Sequence, residues 1–232
     1  MSRRVLITGT TRGLGQFLAE HYLEAGDQVV GCGRSDPSVQ HERYTHHTLD
    51  VTDEAAVVRL AATIRKGYGG LDVLINNAGV ASMNAIALTP PSAARRVMET
   101  NFISAVALTH AAVRLMRHST AARIVNISTI AVPLRLEGEA IYAASKSAVE
   151  MFTRIAAREL GSMGITCNAV GPSVVRTRLT DGVPQDKLDR LVRAQAVQTM
   201  ATPADVANVI DFFLRPESRL VTGQVVYLGG FG

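Results

Sequence analysis

Three features of this 232-residue chain predict an α/β fold, a parallel sheet with helices on both faces. Short apolar runs alternate with segments of helical periodicity, the pattern of successive βαβ units. The runs are apolar throughout instead of alternating with polar residues, as befits strands buried on both faces. A glycine-rich turn, Thr8-Gly9-Thr10-Thr11-Arg12-Gly13-Leu14-Gly15, joins the first run to the first helical segment. No linker, composition shift, repeat or low-complexity tract divides the chain, so residues 1–232 are expected to form one domain.

The elements follow in order. Val5 to Thr8 is the first strand, and Leu14 to Ala25 a helix with Leu14, Leu18 and Leu23 on its apolar side. Gln28 to Cys32 and Tyr44 to Leu49 are the second and third strands. Pro37 and the polar residues around it argue against a full crossover helix between them, so this connection is predicted to be shortened. Asp53 starts a helix carrying Val57, Leu60 and Ile64, and Leu71 to Asn76 is the fourth strand. A long helix over Ser92–His118 leads to a fifth strand, Arg123 to Ser128. A second long helix over Tyr142–Met163 is followed by strands at Ile165 to Val170 and Gln224 to Leu228.

Composition narrows the class. Apolar residues make up 47% and charged residues 19%, values of an ordinary globular protein. The longest apolar runs are strand-sized and the N-terminal residues hold no stretch long enough for a signal peptide, which predicts a cytoplasmic protein with no membrane segment. The net charge is +4, but the basic residues are scattered and form no run, so no nucleic-acid footprint is expected. Cys32 and Cys167 are far apart and read as two buried thiols. His46-His47 has no further ligand at metal spacing and reads as surface, so no metal site is expected.

Two local patterns carry chemistry. A glycine turn between a strand and a helix lets the backbone approach a pyrophosphate, and the helix N-terminus offers free N–H groups and a positive dipole end. Here Gly9, Thr11, Arg12, Gly13, Leu14 and Gly15 are the candidates, although the spacing G-xxx-G-x-G differs from the commonest dinucleotide fingerprint. A carboxylate after the second strand would bind the ribose of NAD; this chain has Gly33-Arg34 instead. Arg34 together with Arg12 can clamp a 2′-phosphate, which predicts NADP(H) in preference to NAD(H). The second pattern is Tyr142 and Lys146, one helical turn apart, so that both side chains leave the same helix face. A phenol can give a proton to a carbonyl oxygen as hydride transfer builds negative charge there. A neighbouring ammonium and an oxidised nicotinamide are expected to lower the phenol from its ordinary value near ~10.

With Thr8-Gly9-xxx-Gly13-x-Gly15, Asp50-Val51, Asn76-Asn77-Ala78-Gly79, Asn101, Tyr142-xxx-Lys146 and Asn168-Ala169-Val170-Gly171-Pro172 followed by Thr177, nearly the whole chain resembles the short-chain dehydrogenases/reductases, of the single-domain type that includes 3-oxoacyl-carrier-protein reductases. The resemblance implies a Rossmann-like, doubly wound, seven-stranded parallel sheet and a homotetramer, with a homodimer as the alternative, paired through the two long helices. It implies that Asp50 and Val51 meet the adenine. Asn77, Ala78 and Gly79 would line the cofactor, Pro172, Val175 and Thr177 would hold the nicotinamide amide, and Lys146 would bond the ribose. It also implies that Asn101 holds a water relaying protons to Lys146.

The family's catalytic hydroxyl stands thirteen positions before the tyrosine, which gives Thr129; one extra residue in the connection would give Ser128 instead. Pro172-Ser173 replaces the family's Pro-Gly, so Ser173 keeps the turn only with a negative φ or at some strain. Leu228-Gly229-Gly230 lacks the family's usual aspartate. Specificity is expected in the segment from Arg178 to Met200, whose Arg178, Lys187, Arg190 and Arg193 either face an acidic carrier or, with Asp181, Asp186 and Asp189 interleaved, form an exposed charged helix face. The expected activity is NADPH-dependent reduction of a small or carrier-bound ketone. Oxidation of an alcohol or sugar, and a regulator that binds the cofactor without turnover, are the alternatives.

Overall fold

The computed structural model describes residues 2–175 and 184–230. Its sheet consists of β1 (Arg4–Thr8), β2 (Gln28–Gly33), β3 (Tyr44–Thr48), β4 (Val73–Asn76), β5 (Arg123–Ile127), β6 (Thr166–Gly171) and β7 (Val225–Tyr227). All neighbouring pairs are parallel, in the order β3-β2-β1-β4-β5-β6-β7. This is the doubly wound arrangement expected. The strand order reverses between β1 and β4, and at such a switch point a crevice opens beyond the carboxyl ends of the strands.

Continuous apolarity of the strands has a direct cause. Successive side chains point to opposite faces, and each face is covered. Val5, Ile7, Val29, Ile75, Val125 and Val170 pack with Leu18, Tyr22 and Leu23 of α1 (Gly13–Glu24) and Val206, Ile210 and Phe213 of α8 (Pro203–Leu214). On the other face Leu6, Val30, Leu74 and Ile124 pack with Val57, Leu60 and Ile64 of α2 (Glu54–Tyr68), Leu108 and Ala112 of α4 (Ser104–Leu115), and Ala156 and Ala157 of α6 (Ala140–Leu160). Cys32 and Cys167 are free and fully buried among them. At the start of the sheet Arg3 pairs with Asp27 at 2.6 Å and Arg4 with Asp72 at 2.8 Å, which joins β1 to its neighbours by charge as well as by backbone.

The β2–β3 connection has no helix, as expected. Val39 plugs the core beneath it, and Ser38 Oγ donates to the Thr11 carbonyl at 3.1 Å, tying the connection to the glycine turn. The histidine reading needs correction. His46 and His47 are half-buried, and the His46 ring bridges the Tyr44 hydroxyl (2.9 Å) and the Ser35 carbonyl (3.0 Å). Both are half-buried β3 residues, and His46 holds the shortened connection against the sheet.

The first long helix is also more structured than its periodicity suggests. It runs as α3 (Pro91–Met98), a π turn (Glu99–Ile103) and α4, with the Ser104 N–H reaching back to the Glu99 carbonyl. Asn101 lies in the π turn, a feature that often marks functional sites because the inserted residue re-aims its side chain. The charged segment forms α7 (Gln185–Arg193), and two further helices lie outside the sequence reading, a single turn α5 (Ala131–Leu134) and α8. For α8 a signal is present in the chain. Thr202 and Asp205 form a reciprocal capping box ahead of Val206, Ile210, Phe213 and Leu214 at helical spacing. Among the described residues no helix is long and apolar enough to cross a membrane.

Candidate active site

The crevice is built first from the turn after β1. Gly9 and Gly13 adopt φ of +75° and +58°, and a Cβ on Gly15 would lie 2.1 Å from the Gly9 carbonyl oxygen, so only glycine lets α1 begin this close to β1. Arg12 is the N-cap of α1 but makes no side-chain cap bond, which leaves the first N–H groups of the helix pointing into the crevice. Asn77 braces the turn: its Nδ2 donates to the Thr8 carbonyl at 2.8 Å, while Thr8 Oγ1 accepts from the Asn77 and Ala78 N–H groups at 3.0 and 2.8 Å.

A cleft of about 390 Å³ runs from this turn across the switch point to the N-terminal end of α6. It gathers Gly9, Thr11, Arg12, Gly13, Leu14, Gly15, Arg34, Asp50, Val51, Asn77, Ala78, Gly79, Ser128, Thr129, Tyr142, Lys146, Pro172 and Val175, residues from seven separate stretches of the chain. Thr177 lies outside the described residues. Arg12 and Arg34 both line the cleft beside the glycine turn. Asp50 is held below the usual carboxylate range, first by the Thr52 N–H at 3.0 Å, then by the Thr52 hydroxyl and the charge of Arg34 against an opposing effect of burial.

At the other end, Tyr142 is half-buried and Lys146 is 4% exposed. Burial pushes the phenol up to about 12; a hydrogen bond with Thr129 works against the rise and the charge of Glu139 adds to it. Burial pulls the Lys146 ammonium down to about 8, and its Nζ donates to the Ile127 carbonyl at 2.7 Å. The expected lowering of the phenol is therefore not supplied by the chain alone. Desolvation is the largest influence on the phenol, and Glu139 adds to the rise.

The two adjacent hydroxyls divide. Ser128 is 2% exposed, and its Oγ donates to Glu150 Oε1, which also accepts from the Tyr227 hydroxyl at 2.6 Å. Thr129 is half-buried and lines the cleft; its Oγ1 accepts from the Ala131 N–H at 3.2 Å, and it lies near enough to Tyr142 to oppose the rise of the phenol. Asn101 does not line the cleft. Its Oδ1 accepts from the Val80 N–H at 2.8 Å, and its Nδ2 donates to the Val80 carbonyl and to Ser145 Oγ, both at 2.9 Å. The side-chain amide thus pins the wall behind Gly79 to the helix carrying Tyr142 and Lys146. A Cβ on Gly79 would stand 3.3 Å from Asn101 Oδ1 and 3.6 Å from Lys146 Nζ, so the glycine keeps that wall thin.

Among the described residues Ser173 does not have a positive φ, and its Oγ donates to Gln195 at 2.5 Å; the turn is kept without backbone strain. Met83, Ile130, Leu136, Glu139 and Val174, not singled out in the sequence, also line the cleft, as do Leu188 and Leu191 of the segment in which specificity is expected. Leu188 and Leu191 face the cleft from α7, whereas Lys187, Arg190 and Arg193 are exposed, with Arg190 paired to Asp186 at 2.9 Å. The exposed charged face is what α7 presents.

A family model described as enoyl-(acyl carrier protein) reductase matches residues 9–231. The chain belongs to the short-chain dehydrogenase/reductase family. A 3-oxoacyl-[acyl-carrier-protein] reductase of Vibrio cholerae is 29% identical over 231 residues, covering 97% of this chain and 95% of its own length. One of Escherichia coli is also 29% identical over 231 residues, with the same coverage. The ligand-free aldohexose dehydrogenase of Thermoplasma acidophilum superposes with a TM-score of 0.90 at 27% identity, covering 99% of this chain and 93% of that one. As a member of this family the chain is an oxidoreductase that uses a nicotinamide cofactor on a CH–OH/C=O pair. The cleft fits such a cofactor: an uncapped helix N-terminus and a glycine turn stand at one end, and a phenol, an amine and a hydroxyl at the other.

Proposed function

We propose that the protein is an NADPH-dependent reductase of a ketone, with Tyr142 as proton donor. One observation carries this reading: Thr129, Tyr142 and Lys146 line the same cleft as the glycine turn, Arg12 and Arg34. Reduced nicotinamide, when bound, supplies the hydride. Thr129 orients the carbonyl oxygen by hydrogen bonding, and Tyr142 gives that oxygen a proton as charge develops. Lys146 bonds the cofactor ribose and holds positive charge beneath the phenol. Asn101 fixes the separation of the Val80 backbone from Ser145, and a water on the Lys146 side of this wall would return a proton to the site.

NADPH is preferred because Arg34 and Arg12 stand where a carboxylate would favour NADH. Thr177 would complete the cofactor's amide end with Pro172 and Val175. Subunits pair through the two long helices, a reading supported by exposed Ile103, Met151 and Ile155 on them; the assembly is a homotetramer, and the protein is cytoplasmic.

Oxidation of a sugar is the second reading, favoured by the fold match to an aldohexose dehydrogenase. The test follows nicotinamide absorbance with NADPH and NADH against ketones and 3-oxoacyl thioesters, and with NADP⁺ and NAD⁺ against aldohexoses. Ketone reduction faster with NADPH is the expected result. Oxidation of aldohexoses alone would replace this reading with the second, and cofactor binding without any turnover would replace both with a regulator.

A further inference from the structure

Around α7 and the start of α6 the described lining of the cleft is largely apolar, and Glu139 is its one carboxylate there among the described residues. Met83, Ile130, Leu136, Val174, Leu188 and Leu191 offer no charge or strong hydrogen-bonding group, and Glu139 stands among them next to the catalytic phenol. Glu139 is the N-cap residue of α6, a position where side chains commonly turn back to cap their own helix, yet it makes no cap bond. Its carboxylate forms no hydrogen bond or ion pair with any described residue. The side chain is half-buried, burial raises its carboxyl, and its charge reaches Tyr142.

A carboxylate left half-desolvated at the wall of a cleft is costly to cover. A substrate that displaces its remaining water without replacing the lost hydrogen bonds leaves the charge unpaired. A substrate with a hydroxyl or other donor at that point satisfies it, and hydrogen bonds to charged groups are the stronger kind. A substrate with its own carboxylate there meets like charge in an apolar surround.

We propose that Glu139 sets the substrate class of this site: a neutral ketone with an apolar body and a hydroxyl donor beside the reacting carbon, with ketones acidic at that position excluded. The proposal rests on the reading of the cleft as a ketone-reducing site. It makes Glu139 a specificity-determining residue; the transferred proton still comes from Tyr142.

Three phenyl ketones of nearly one shape separate the possibilities. Propiophenone, hydroxyacetophenone and phenylglyoxylate carry methyl, hydroxyl and carboxylate groups at the corresponding end. Binding to the cofactor-loaded protein is read by thermal shift, and kcat/KM by NADPH consumption. The wild type should favour hydroxyacetophenone over propiophenone by about tenfold and take phenylglyoxylate worst. Glu139→Leu, which removes the acceptor, should abolish the hydroxyl preference. Glu139→Gln, which removes only the charge, should improve phenylglyoxylate relative to propiophenone by about tenfold. NADPH fluorescence checks that each variant is folded, and if one is not, the wild-type order and the other variant still decide.

A wild type without the hydroxyl preference, variants that keep the wild-type order, or no measurable binding of any of the three would overturn the proposal. If the binding order and its response to Glu139 hold but nothing is reduced, the inference about Glu139 stands and the reductase reading falls. If ketones are reduced and the order ignores Glu139, the opposite conclusion holds.

Discussion

Ser128 and Thr129 are neighbours in the chain, yet their hydroxyls serve different parts of the molecule. Both line the cleft, but Ser128 Oγ is taken up by donating to Glu150, whereas Thr129 is more exposed and near enough to Tyr142 to act on its phenol. The division follows from the end of β5, where successive side chains still point to opposite sides. Thr129→Ala should lower kcat by about 10²-fold, the usual cost of losing one donor to a developing oxyanion, and Thr129→Ser should restore most of it. Ser128→Ala should instead destabilise the fold by about 1–3 kcal/mol, because Glu150 loses a buried partner, and should keep most turnover. Steady-state kinetics and thermal unfolding of the three variants check this; loss of turnover confined to Ser128→Ala would reverse the assignment.

Tyr142→Phe removes one oxygen from a half-buried ring and leaves the glycine turn untouched. NADPH binding, read by fluorescence titration, should stay within about twofold of wild type. Turnover should fall by about 10²–10⁴, the range general acid catalysis contributes. Turnover near the wild-type rate would remove Tyr142 from the mechanism.

Lys146 should cost the cofactor-free protein stability. Burial lowers its ammonium from the ordinary value to about 8, so between that pH and about 10.5 the unfolded chain binds the proton and the folded chain does not. Stability from this group therefore rises as pH climbs through that window and is lowest below it. Lys146→Met should raise the unfolding free energy at neutral pH by about 1–3 kcal/mol, less any cost of leaving the Ile127 carbonyl unpaired, while abolishing turnover. The gain should shrink as pH approaches 10.5, and denaturant unfolding at several pH values measures it. A gain that grows with pH would mean that burial favours the charged amine instead.

Arg34 and Arg12 should set the cofactor preference. Arg34→Ala should cut the ratio of kcat/KM for NADPH to that for NADH by about tenfold, and Arg12→Ala should cut it further. Because Arg34 is exposed, the wild-type preference should also weaken with added salt. An unchanged ratio in the double variant would show that the 2′-phosphate is held elsewhere.

The fold class and most of the cleft could be read from the chain because they rest on local rules. Uniformly apolar runs mean strands covered on both faces, Pro37 and its polar neighbours stop a crossover helix, and glycines at positions 9, 13 and 15 are needed by backbone geometry alone. Helix α8 could have been read as well, from the Thr202–Asp205 capping box and the spacing of Val206, Ile210 and Phe213.

Other properties depend on residues distant in sequence. The sequence by itself determined the sheet, its shortened β2–β3 connection, and the candidate acid, amine and phosphate clamp, because spacing along one helix or one turn places those groups. Only the tertiary structure decided that Ser128 is engaged by Glu150 while Thr129 stands near Tyr142, why that phenol rises to about 12, and that Glu139 is the one carboxylate at a largely apolar part of the cleft wall among the described residues. Those outcomes depend on desolvation and on which strands and helices enclose a group, and burial is a property of the assembled fold that no local spacing encodes.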